Sequence, residues 1–455
     1  MPRPRIVLYN PRAVFYTMPL ALIAIASAMD RKQIDVRIID GRLERDPAAA
    51  VAEASRGALC VGITVLTGAP INDALAVSRA VKRGNPACPI VWGGWHPSLF
   101  ADECLADPAV DAVVTGQGEG ALRRIVERLI AGEPVGGIES MPLQDLNTFP
   151  AHDYSLVDVE RYFALKGTRQ LDYISSQGCR FRCAFCADPA VFSRGWTGLT
   201  PDRVAGEIAE LHRRYRFDDL AFQDETFFTS AKRVDALAEQ FLKRALPITW
   251  TATLRADQAC RLGDELFAKV VRSGLRRVMV GVESGSQDML DRLQKDMTLD
   301  QVRRTAGLCA RHGVGAIFNF IVGFPGESEQ SMQATLALAK ELRRSNPEFD
   351  TPIFYYRPYP GNRMADLSAE RGYVFPRGLE EWAGFDYVGG RGPWITQQQW
   401  QKVERFKFYS RHAWKPGAWR WPLRATAQWR CNHDWYDLPV EKMIVDFVRP
   451  PQQVS

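Results

Sequence analysis

The chain has 455 residues, 46% of them hydrophobic, and a formal net charge of +5 at pH 7. This length suggests roughly two to four domains. The longest apolar run, residues 19–29, is far shorter than the roughly 18 residues that a membrane-spanning helix needs, and we expect no signal peptide before the first strand-like run. Nine cysteines, an odd number, favour reduced thiols. We therefore expect a cytoplasmic protein, soluble or peripheral to a membrane.

The first 135 residues alternate short β-branched runs with helical patterns. Strands are predicted at residues 5–10, 36–40, 59–66, 89–94 and 112–116, with helices such as 71–82 and 120–131 between them. Strands that alternate with helices predict a parallel sheet with helices on both faces. We therefore predict a doubly wound, Rossmann-like α/β domain over residues 1–135.

Small residues and glycines follow the predicted strands of this domain. Ligands of doubly wound sheets lie outside the carboxyl ends of the strands, and glycines let a large planar ligand approach the backbone. The candidate contacts are Asn10, Thr64, Gly68, Gly93, Gly94, His96, Gly116, Gly118 and Glu119. Any single loop of this kind could equally be an ordinary βα turn, and His96 could be a satisfied turn residue.

Residues 136–170 are rich in proline and acidic residues. Pro142 and Pro150 disfavour regular elements on either side. We therefore predict a linker here, followed by a second domain over residues 171–374 and a C-terminal segment over residues 375–455.

Three cysteines, Cys179, Cys183 and Cys186, stand on one short loop with the spacing C-x3-C-x2-C. Three thiolates suit three corners of a cubane iron–sulfur cluster and leave its fourth iron without a protein ligand. Zinc sites built on C-x-x-C normally have a second cysteine pair or a histidine pair, and neither is nearby. The alternative is a closed zinc or structural cluster site with a distant fourth ligand. A strand is predicted just before the loop, and loops that leave strands carry the chemistry of α/β barrels.

This loop resembles the cluster loop of radical S-adenosylmethionine (radical SAM) enzymes. In that family the amino and carboxylate groups of SAM chelate the fourth iron, and an electron from the cluster cleaves the sulfonium to give a 5′-deoxyadenosyl radical. The resemblance implies a [4Fe–4S] cluster bound by Cys179, Cys183 and Cys186, and SAM as cofactor with Phe185 near its adenine. It also implies an electron donor such as flavodoxin or ferredoxin.

Residues 171–374 resume the alternation of strands and helices, and six βα units predict a partial (β/α)6 barrel, open on one side. Polar residues follow its strands. The resemblance implies SAM contacts from Phe185, Asp224, Glu225, Arg255, Glu283, Ser284 and Gly323. Asp224 and Glu225 suit the methionyl ammonium because carboxylates accept charge-assisted hydrogen bonds; a solvated acidic turn is the alternative.

The N-terminal domain resembles the cobalamin-binding domain of one large radical SAM subgroup, mainly through residues 93–97 and 116–119. The resemblance implies that the glycine-rich loops bind cobalamin. Many cobalamin proteins supply a lower axial histidine from an Asp-x-His-x-x-Gly motif, but here Gly94 stands two residues before His96. We therefore expect cobalamin without a protein histidine ligand. The alternative is a domain that has kept the fold and lost the cofactor.

The C-terminal segment is basic and rich in tryptophan: residues 401–455 hold ten Lys or Arg against five Asp or Glu, and seven of the twelve Trp follow residue 390. Such a mixture can stack on nucleic acid bases, although no RNA-binding motif occurs elsewhere and a nucleic-acid partner is not expected. It also suits peripheral contact with a membrane surface. We predict instead that the segment is helical or irregular and caps the barrel opening, with Trp and Tyr lining the entry for a small-molecule or lipid-like substrate.

Three functions are compatible with these features. The first is cobalamin-dependent methylation of an unactivated carbon, in which the radical removes a hydrogen and methylcobalamin supplies the methyl group. The second is radical oxidative cyclisation or another rearrangement, as in the anaerobic porphyrin cyclase branch that the architecture also resembles. The third is a non-catalytic iron–sulfur protein for electron transfer or regulation. The polar strand ends at Glu225, Arg255 and Glu283 argue against the third, since an electron carrier has no need to bind SAM.

Overall fold

The N-terminal part of the chain forms a six-stranded sheet in which every pair of neighbouring strands is parallel. Its strands are β1 (Arg5–Asn10), β2 (Asp35–Asp40), β3 (Ala58–Thr64), β4 (Ile90–Gly93), β5 (Ala112–Thr115) and β6 (Gly137–Ser140). The strand order is β2-β1-β3-β4-β5-β6. The chain adds β2 on one side of β1 and then adds β3 to β6 on the other side, so the topological switch point lies between β1 and β3. Sheets of this kind bind ligands at the switch point. The doubly wound fold predicted from the sequence is confirmed. In the computed structural model, residues 3–13, 16–385, 390–414 and 421–448 are described.

Helices cover both faces of this sheet. They are α1 (Leu20–Ser27), α2 (Pro47–Ala54), α3 (Pro70–Gly84), α4 (Trp95–Leu99), α5 (Ala101–Leu105) and α6 (Gly118–Ile130). Strand β1 is apolar at successive positions because Ile6 and Leu8 pack under α1 and α6, whereas Val7 and Tyr9 pack under α2 and α3. A strand that is buried on both faces has no solvent-exposed side, so polar and apolar residues do not alternate along it.

Helix α1 explains the longest apolar run of the sequence. Its Leu22 and Ala26 pack on the N-terminal sheet, whereas Leu20 and Ile23 belong to the core of the second domain. A helix that is buried on two sides is apolar on both. No helix in the described ranges is both long and apolar enough to cross a bilayer.

The second sheet is an incomplete barrel. Strands β7 (Gln170–Tyr173), β10 (Asp219–Phe222), β11 (Thr249–Leu254), β12 (Leu275–Glu283) and β13 (Gly315–Val322) pair in chain order, and β14 (Phe349–Asp350) and β15 (Ile353–Tyr355) both pair with β13. All these pairs are parallel. Since β7 and the β14–β15 edge do not pair with each other, the barrel is open, as the count of six βα units predicted. A short antiparallel ribbon of β8 (Ser176–Gly178) and β9 (Trp196–Gly198), which the sequence did not predict, carries the cysteine loop.

The helices of the remaining chain surround this barrel and form its C-terminal extension. They are α7 (Val159–Lys166), α8 (Asp188–Phe192), α9 (Pro201–Tyr215), α10 (Ala231–Arg244), α11 (Ala256–Arg272), α12 (Gln287–Arg292), α13 (Leu299–Arg311), α14 (Glu329–Ser345), α15 (Arg363–Glu370), α16 (Gly378–Ala383), α17 (Gln397–Ala413), α18 (Trp421–His433) and α19 (Val440–Val448).

The segment predicted as a linker, residues 136–170, joins the two sheets through buried polar contacts. Tyr162 on α7 donates to Asp40 Oδ2 at the end of β2, at 2.6 Å. Asp172 on β7 accepts from the Met18 amide at 2.8 Å and from Lys166 Nζ at 2.5 Å. Strand β6 also lies in this segment; its residues are largely exposed, so no apolar run marks it.

The C-terminal segment contacts both sheets. Trp382 on α16 is buried against His96 and Phe100 of the N-terminal part. Trp394 donates through Nε1 to the Gly323 carbonyl at 2.6 Å, just after β13, and α17 packs on α14 and α18. Residues 415–420, which include one tryptophan of this segment, Trp419, and residues 449–455 lie outside the described ranges, so the predicted cap is not tested there.

Candidate active site

The cysteine loop begins where β8 ends. Gly178 has φ +80°, and a Cβ there would lie 2.4 Å from the Gly195 carbonyl oxygen, so only glycine allows the β8–β9 ribbon to close. Cys179, Cys183 and Cys186 follow on one half-buried loop, where the Cys186 amide donates to the Cys183 carbonyl at 3.2 Å. No three His, Cys, Asp or Glu side chains among the described residues converge on a single-ion site. In an iron–sulfur cluster, each thiolate binds a different iron.

Hydrogen-bond donors surround the sulfurs. The Asp188 amide faces Cys186 Sγ at 3.5 Å, and Arg255 Nη1 faces Cys183 Sγ at 3.6 Å. Burial raises the pKa of Cys179 to about 11 and that of Cys186 to about 12. Iron binding therefore has to displace protons from these thiols, because thiolates are the ligands.

The neighbouring carboxylates Asp224 and Glu225, after β10, have different environments. Asp224 is buried and accepts from the Ser175 amide at 2.7 Å, from Ser175 Oγ at 2.6 Å and from Ser176 Oγ at 2.5 Å. It therefore holds the corner that leads into β8. Glu225 Oε2 is buried without a partner, and burial, more than the nearby acidic groups, raises the pKa of Glu225 to about 8.

Glu283 ends β12 with φ +69°, in the left-handed region that non-glycine residues rarely occupy. Its Oε1 accepts from Lys295 Nζ at 2.6 Å, and both side chains are buried. A Cβ at Gly281 would lie 2.5 Å from this carboxylate, so the glycine makes room for the ion pair. Lys295 Nζ also lies 5.6 Å from the Phe185 ring centroid. The pair therefore borders the residue predicted to contact adenine.

The larger cavity has a volume of about 580 Å³ and opens between the barrel, the cysteine loop and the N-terminal domain. From the predicted SAM set it includes Phe185 and Glu283, together with Gly281 and Asn319 of the barrel interior. Its aromatic wall comes from Phe354, Tyr355, Tyr356 and Tyr359, beside Arg357. Contrary to the expectation that Trp and Tyr of the C-terminal segment, residues 375–455, line the substrate entry, no described residue of that segment lines this cavity. Trp394 instead lies against Gly323 after β13, and Trp382 packs against His96 and Phe100.

The smaller cavity, about 300 Å³, lies at the carboxyl ends of the N-terminal strands. From the predicted cobalamin set it includes Asn10, Thr64, Gly93, Gly94, Gly116, Gly118 and Glu119. The opposite wall belongs to the second domain and consists of Ile174, Gln177, Val191, Phe192 and Glu225. The cavity is therefore an interface between the two domains. Leu66 and Trp95 line both cavities and form the wall between them.

Side-chain amides connect the smaller cavity to the cysteine loop. Gln177 on β8 donates to Glu119 Oε1 at 2.9 Å and accepts from Gln117 Nε2 at 3.0 Å. Glu119 is buried at the start of α6, and this burial raises its pKa. Since Gln177 stands two residues before Cys179, the network fixes the ribbon that presents the loop.

Two predicted cobalamin contacts lie outside the smaller cavity. His96 is fully buried and packs between Phe100 and Trp382, with ring centroids 4.8 and 5.9 Å away. Burial lowers its pKa to about 4. Gly68, with φ +98°, instead forms the turn into α3.

Four predicted SAM contacts, Asp224, Arg255, Ser284 and Gly323, line neither cavity, and Glu225 lines the smaller one. Ser284 is buried with its Oγ 3.2 Å from Thr335 Oγ1 on α14. Gly323 accepts from Trp394, and a Cβ there would lie 2.1 Å from Ile395 Cδ1. Arg255 is 7% exposed and is bonded to protein atoms. Ser284 and Gly323 follow their strands but face the helix layer or the C-terminal segment, which the sequence pattern cannot distinguish from the barrel mouth.

The sequence missed Lys295, Asp188, Trp95 and Leu66. Asp188 lines the larger cavity with a buried carboxylate, and burial raises its pKa to about 6. The Cys-Ala-Asp sequence beside the last cysteine could have indicated Asp188. No sequence pattern marks Lys295, a loop residue that is buried with its partner Glu283 at the end of β12.

Two sheets that meet over a three-cysteine loop, each with a cavity at the carboxyl ends of its strands, define an enzyme class with a radical-generating centre beside a second cofactor domain. Residues 7–126 match the B12 binding domain, and residues 173–339 match the radical SAM superfamily. An uncharacterized methyltransferase of Pyrococcus horikoshii is 29% identical over 399 residues, which cover 83% of this chain and 84% of the relative.

Two further comparisons agree in architecture. The anaerobic magnesium-protoporphyrin IX monomethyl ester cyclase of Rubrivivax gelatinosus is 26% identical over 333 residues, 69% of this chain and 58% of the relative. The structure of the radical SAM methyltransferase TsrM from Kitasatospora setae, with cobalamin and a [4Fe-4S] cluster bound, has a TM-score of 0.68 at 18% identity and covers 81% of this chain and 75% of that chain. That likeness shows a shared fold.

The chain belongs to the cobalamin-binding branch of the radical SAM superfamily, and its cofactors are a [4Fe–4S] cluster, SAM and cobalamin. The residues present fit these groups. Three thiols on one loop suit the cluster, the buried unpartnered oxygen of Glu225 suits a cationic ligand, and the strand-end glycines leave the sheet edge open to a planar one.

Proposed function

We propose that this enzyme methylates an unactivated carbon of a small molecule, with cobalamin as the methyl carrier. The observation that carries the proposal is the shared wall of Leu66 and Trp95, which makes the two cofactor cavities adjacent. A radical formed on one side and a methyl group carried on the other can then reach one substrate. The similarity to a methyltransferase over 83% of the chain supports this reading.

The protein's own residues bind, orient and shield. Cys179, Cys183 and Cys186 would hold the cluster, Glu225, on the wall of the smaller cavity, would accept a hydrogen bond from the methionyl ammonium, and Phe185 and Glu283 would border the adenosyl group. When bound, SAM and the cluster supply a 5′-deoxyadenosyl radical, and cobalamin supplies a methyl group. The aromatic side chains of Phe354, Tyr355, Tyr356 and Tyr359 would exclude water from the larger cavity, because a radical has to be kept from stray hydrogen donors. An external electron donor and a small-molecule substrate complete the reaction.

The second candidate is oxidative cyclisation, which the similarity to a porphyrin cyclase over 69% of the chain favours. The two reactions differ in mass balance. Methylation replaces one substrate hydrogen with a methyl group and uses one SAM for the radical and another for the methyl group, whereas cyclisation removes hydrogen and transfers no methyl group.

The test incubates reduced, cobalamin-loaded enzyme anaerobically with trideuteromethyl SAM and a small-molecule extract. We expect a product with one trideuteromethyl group, and 5′-deoxyadenosine and S-adenosylhomocysteine in equal amounts. Cys183→Ala serves as the control and should give neither product. An unlabelled product that has lost two hydrogens would favour cyclisation and contradict methylation.

We expect cobalamin to bind without a protein nitrogen as lower ligand, because His96 is enclosed between Phe100 and Trp382. The measurement is the electron paramagnetic resonance spectrum of the cob(II)alamin form in ordinary and ¹⁵N-labelled protein. The two spectra should have identical splitting, and His96→Leu should leave them unchanged. A splitting that changes with the protein label and disappears in His96→Leu would show that His96 coordinates cobalt.

A further inference from the structure

Arg255 lies directly after β11 and reaches three separate parts of the site. Nε donates to Asp257 Oδ1 at 2.9 Å, Nη2 donates to the Lys295 carbonyl at 2.5 Å, and Nη1 faces Cys183 Sγ at 3.6 Å. The guanidinium also stacks on Phe181, with its central carbon 3.7 Å from the ring centroid. Each of its nitrogens therefore has a protein acceptor.

This arrangement holds the cysteine loop against the barrel. Phe181 and Cys183 both belong to the loop, whereas Asp257 and Lys295 belong to the barrel. A guanidinium can make these contacts together because it is planar, carries five N–H donors in a fixed fork and stacks on aromatic rings. An ammonium group concentrates its donors at one point and cannot reach all of the acceptors.

The N–H donor to Cys183 has a further consequence for redox chemistry. Hydrogen bonds to the sulfurs are among the factors that set the reduction potential of an iron–sulfur cluster. Reduction takes one electron from the donor protein and breaks no bond, so it adds one negative charge to the cluster and its thiolates. The full charge of Arg255 is balanced by Asp257, and that of Lys295 by Glu283. The oriented N–H groups that face the sulfurs, that of Arg255 at Cys183 and the Asp188 amide at Cys186, therefore remain to stabilise the added charge.

We infer that Arg255 is a positioning residue that anchors the cysteine loop and, through its N–H donor to Cys183, makes the cluster easier to reduce. This role differs from the SAM contact that the family resemblance implied for Arg255. It rests on the cluster loop alone and is independent of whether the product is methylated or cyclised.

The test measures the reduction potential of the reconstituted cluster by redox titration with electron paramagnetic resonance, without SAM or substrate. Arg255→Gln removes the charge and the fork, and Arg255→Lys keeps only the charge. The matched control is Arg182→Gln, because Arg182 lies on the same loop and pairs with Asp296 through a largely exposed salt bridge. We expect a more negative potential in both Arg255 variants and the wild-type potential in Arg182→Gln.

The iron and sulfide content of the variants distinguishes a loss of loop anchoring from a loss of the hydrogen bond to Cys183. Arg255 variants with full iron content and the wild-type potential would overturn the inference. If these variants lose the cluster while Arg182→Gln retains it, the anchoring role is supported, and Phe181→Leu then tests the donor. That variant keeps the guanidinium and its charge balance with Asp257 but removes the ring on which Arg255 stacks, so the N–H group is less well oriented and a smaller shift in the negative direction is expected. An unchanged potential in Phe181→Leu would contradict the donor role.

Discussion

Alanine in place of Cys179, Cys183 or Cys186 is expected to abolish both the cluster absorbance near roughly 400 nm and the reductive cleavage of SAM. Each cysteine supplies one of three protein ligands, so the loss of one leaves two irons without a thiolate. Iron and sulfide analysis, visible spectroscopy and chromatography of 5′-deoxyadenosine measure the effect.

Cys260→Ala is the matched control for these variants. Cys260 is also a half-buried cysteine, but it lies on α11 with its Sγ 3.7 Å from the Gln301 carbonyl. It should therefore keep the full cluster and wild-type cleavage. A loop variant that retained all its iron and cleaved SAM at the wild-type rate would show that its cysteine is no cluster ligand.

The adjacent substitutions Asp224→Asn and Glu225→Gln should have different effects: the first should mainly destabilise the fold, and the second should mainly weaken SAM binding. Asp224 accepts three hydrogen bonds from Ser175 and Ser176, and an asparagine amide nitrogen would face donors instead of accepting from them. Breaking buried bonds to a charged group costs about 3 kcal/mol or more. Denaturant unfolding should show this loss in Asp224→Asn, together with poor cluster incorporation.

Glu225→Gln should instead retain the cluster and weaken SAM binding by roughly tenfold or more, a cost of about 1.4 kcal/mol per tenfold. Calorimetric titration of the cluster-loaded protein with SAM measures this effect. Equal losses of SAM affinity in the two variants, at equal cluster content, would contradict the assignment.

The Glu225 carboxyl also predicts the sign of a pH effect in protein without SAM. Burial raises its pKa to about 8, so the folded state keeps a proton that the unfolded state releases near the ordinary pKa of glutamate. The carboxylate therefore destabilises the fold increasingly as pH rises towards about 8, and the cost is constant above that pH. Glu225→Gln should gain stability relative to wild type over this range. A stability difference that does not depend on pH would show that Glu225 is ionised in the fold.

The sequence was most informative where a local pattern determines the structure. The bounds of β1 agree with the predicted range, residues 5–10, because β1 is an apolar run that ends at Asn10-Pro11. The exposed β6 and the three-residue strands β8 and β9 have no such pattern. The cysteine spacing is local in the same sense and indicated the cluster loop directly.

Residues after strands were harder to assign because their roles depend on distant partners. Ser284 faces Thr335 on α14, Gly323 lies under Trp394, and His96 is enclosed by Trp382. Each partner comes from an element far along the chain. Strand position predicted which residues approach the carboxyl edge of a sheet, but not which side of that edge they face.

The smaller cavity is lined by both domains, so its ligand should affect the stability of both. One wall comes from the N-terminal sheet and the other from Ile174, Gln177 and Phe192, next to the cysteine loop. A ligand that binds only the folded, closed arrangement stabilises it by mass action. Cobalamin should therefore raise the melting temperature of both cores together, and protein without cobalamin should unfold at a lower temperature.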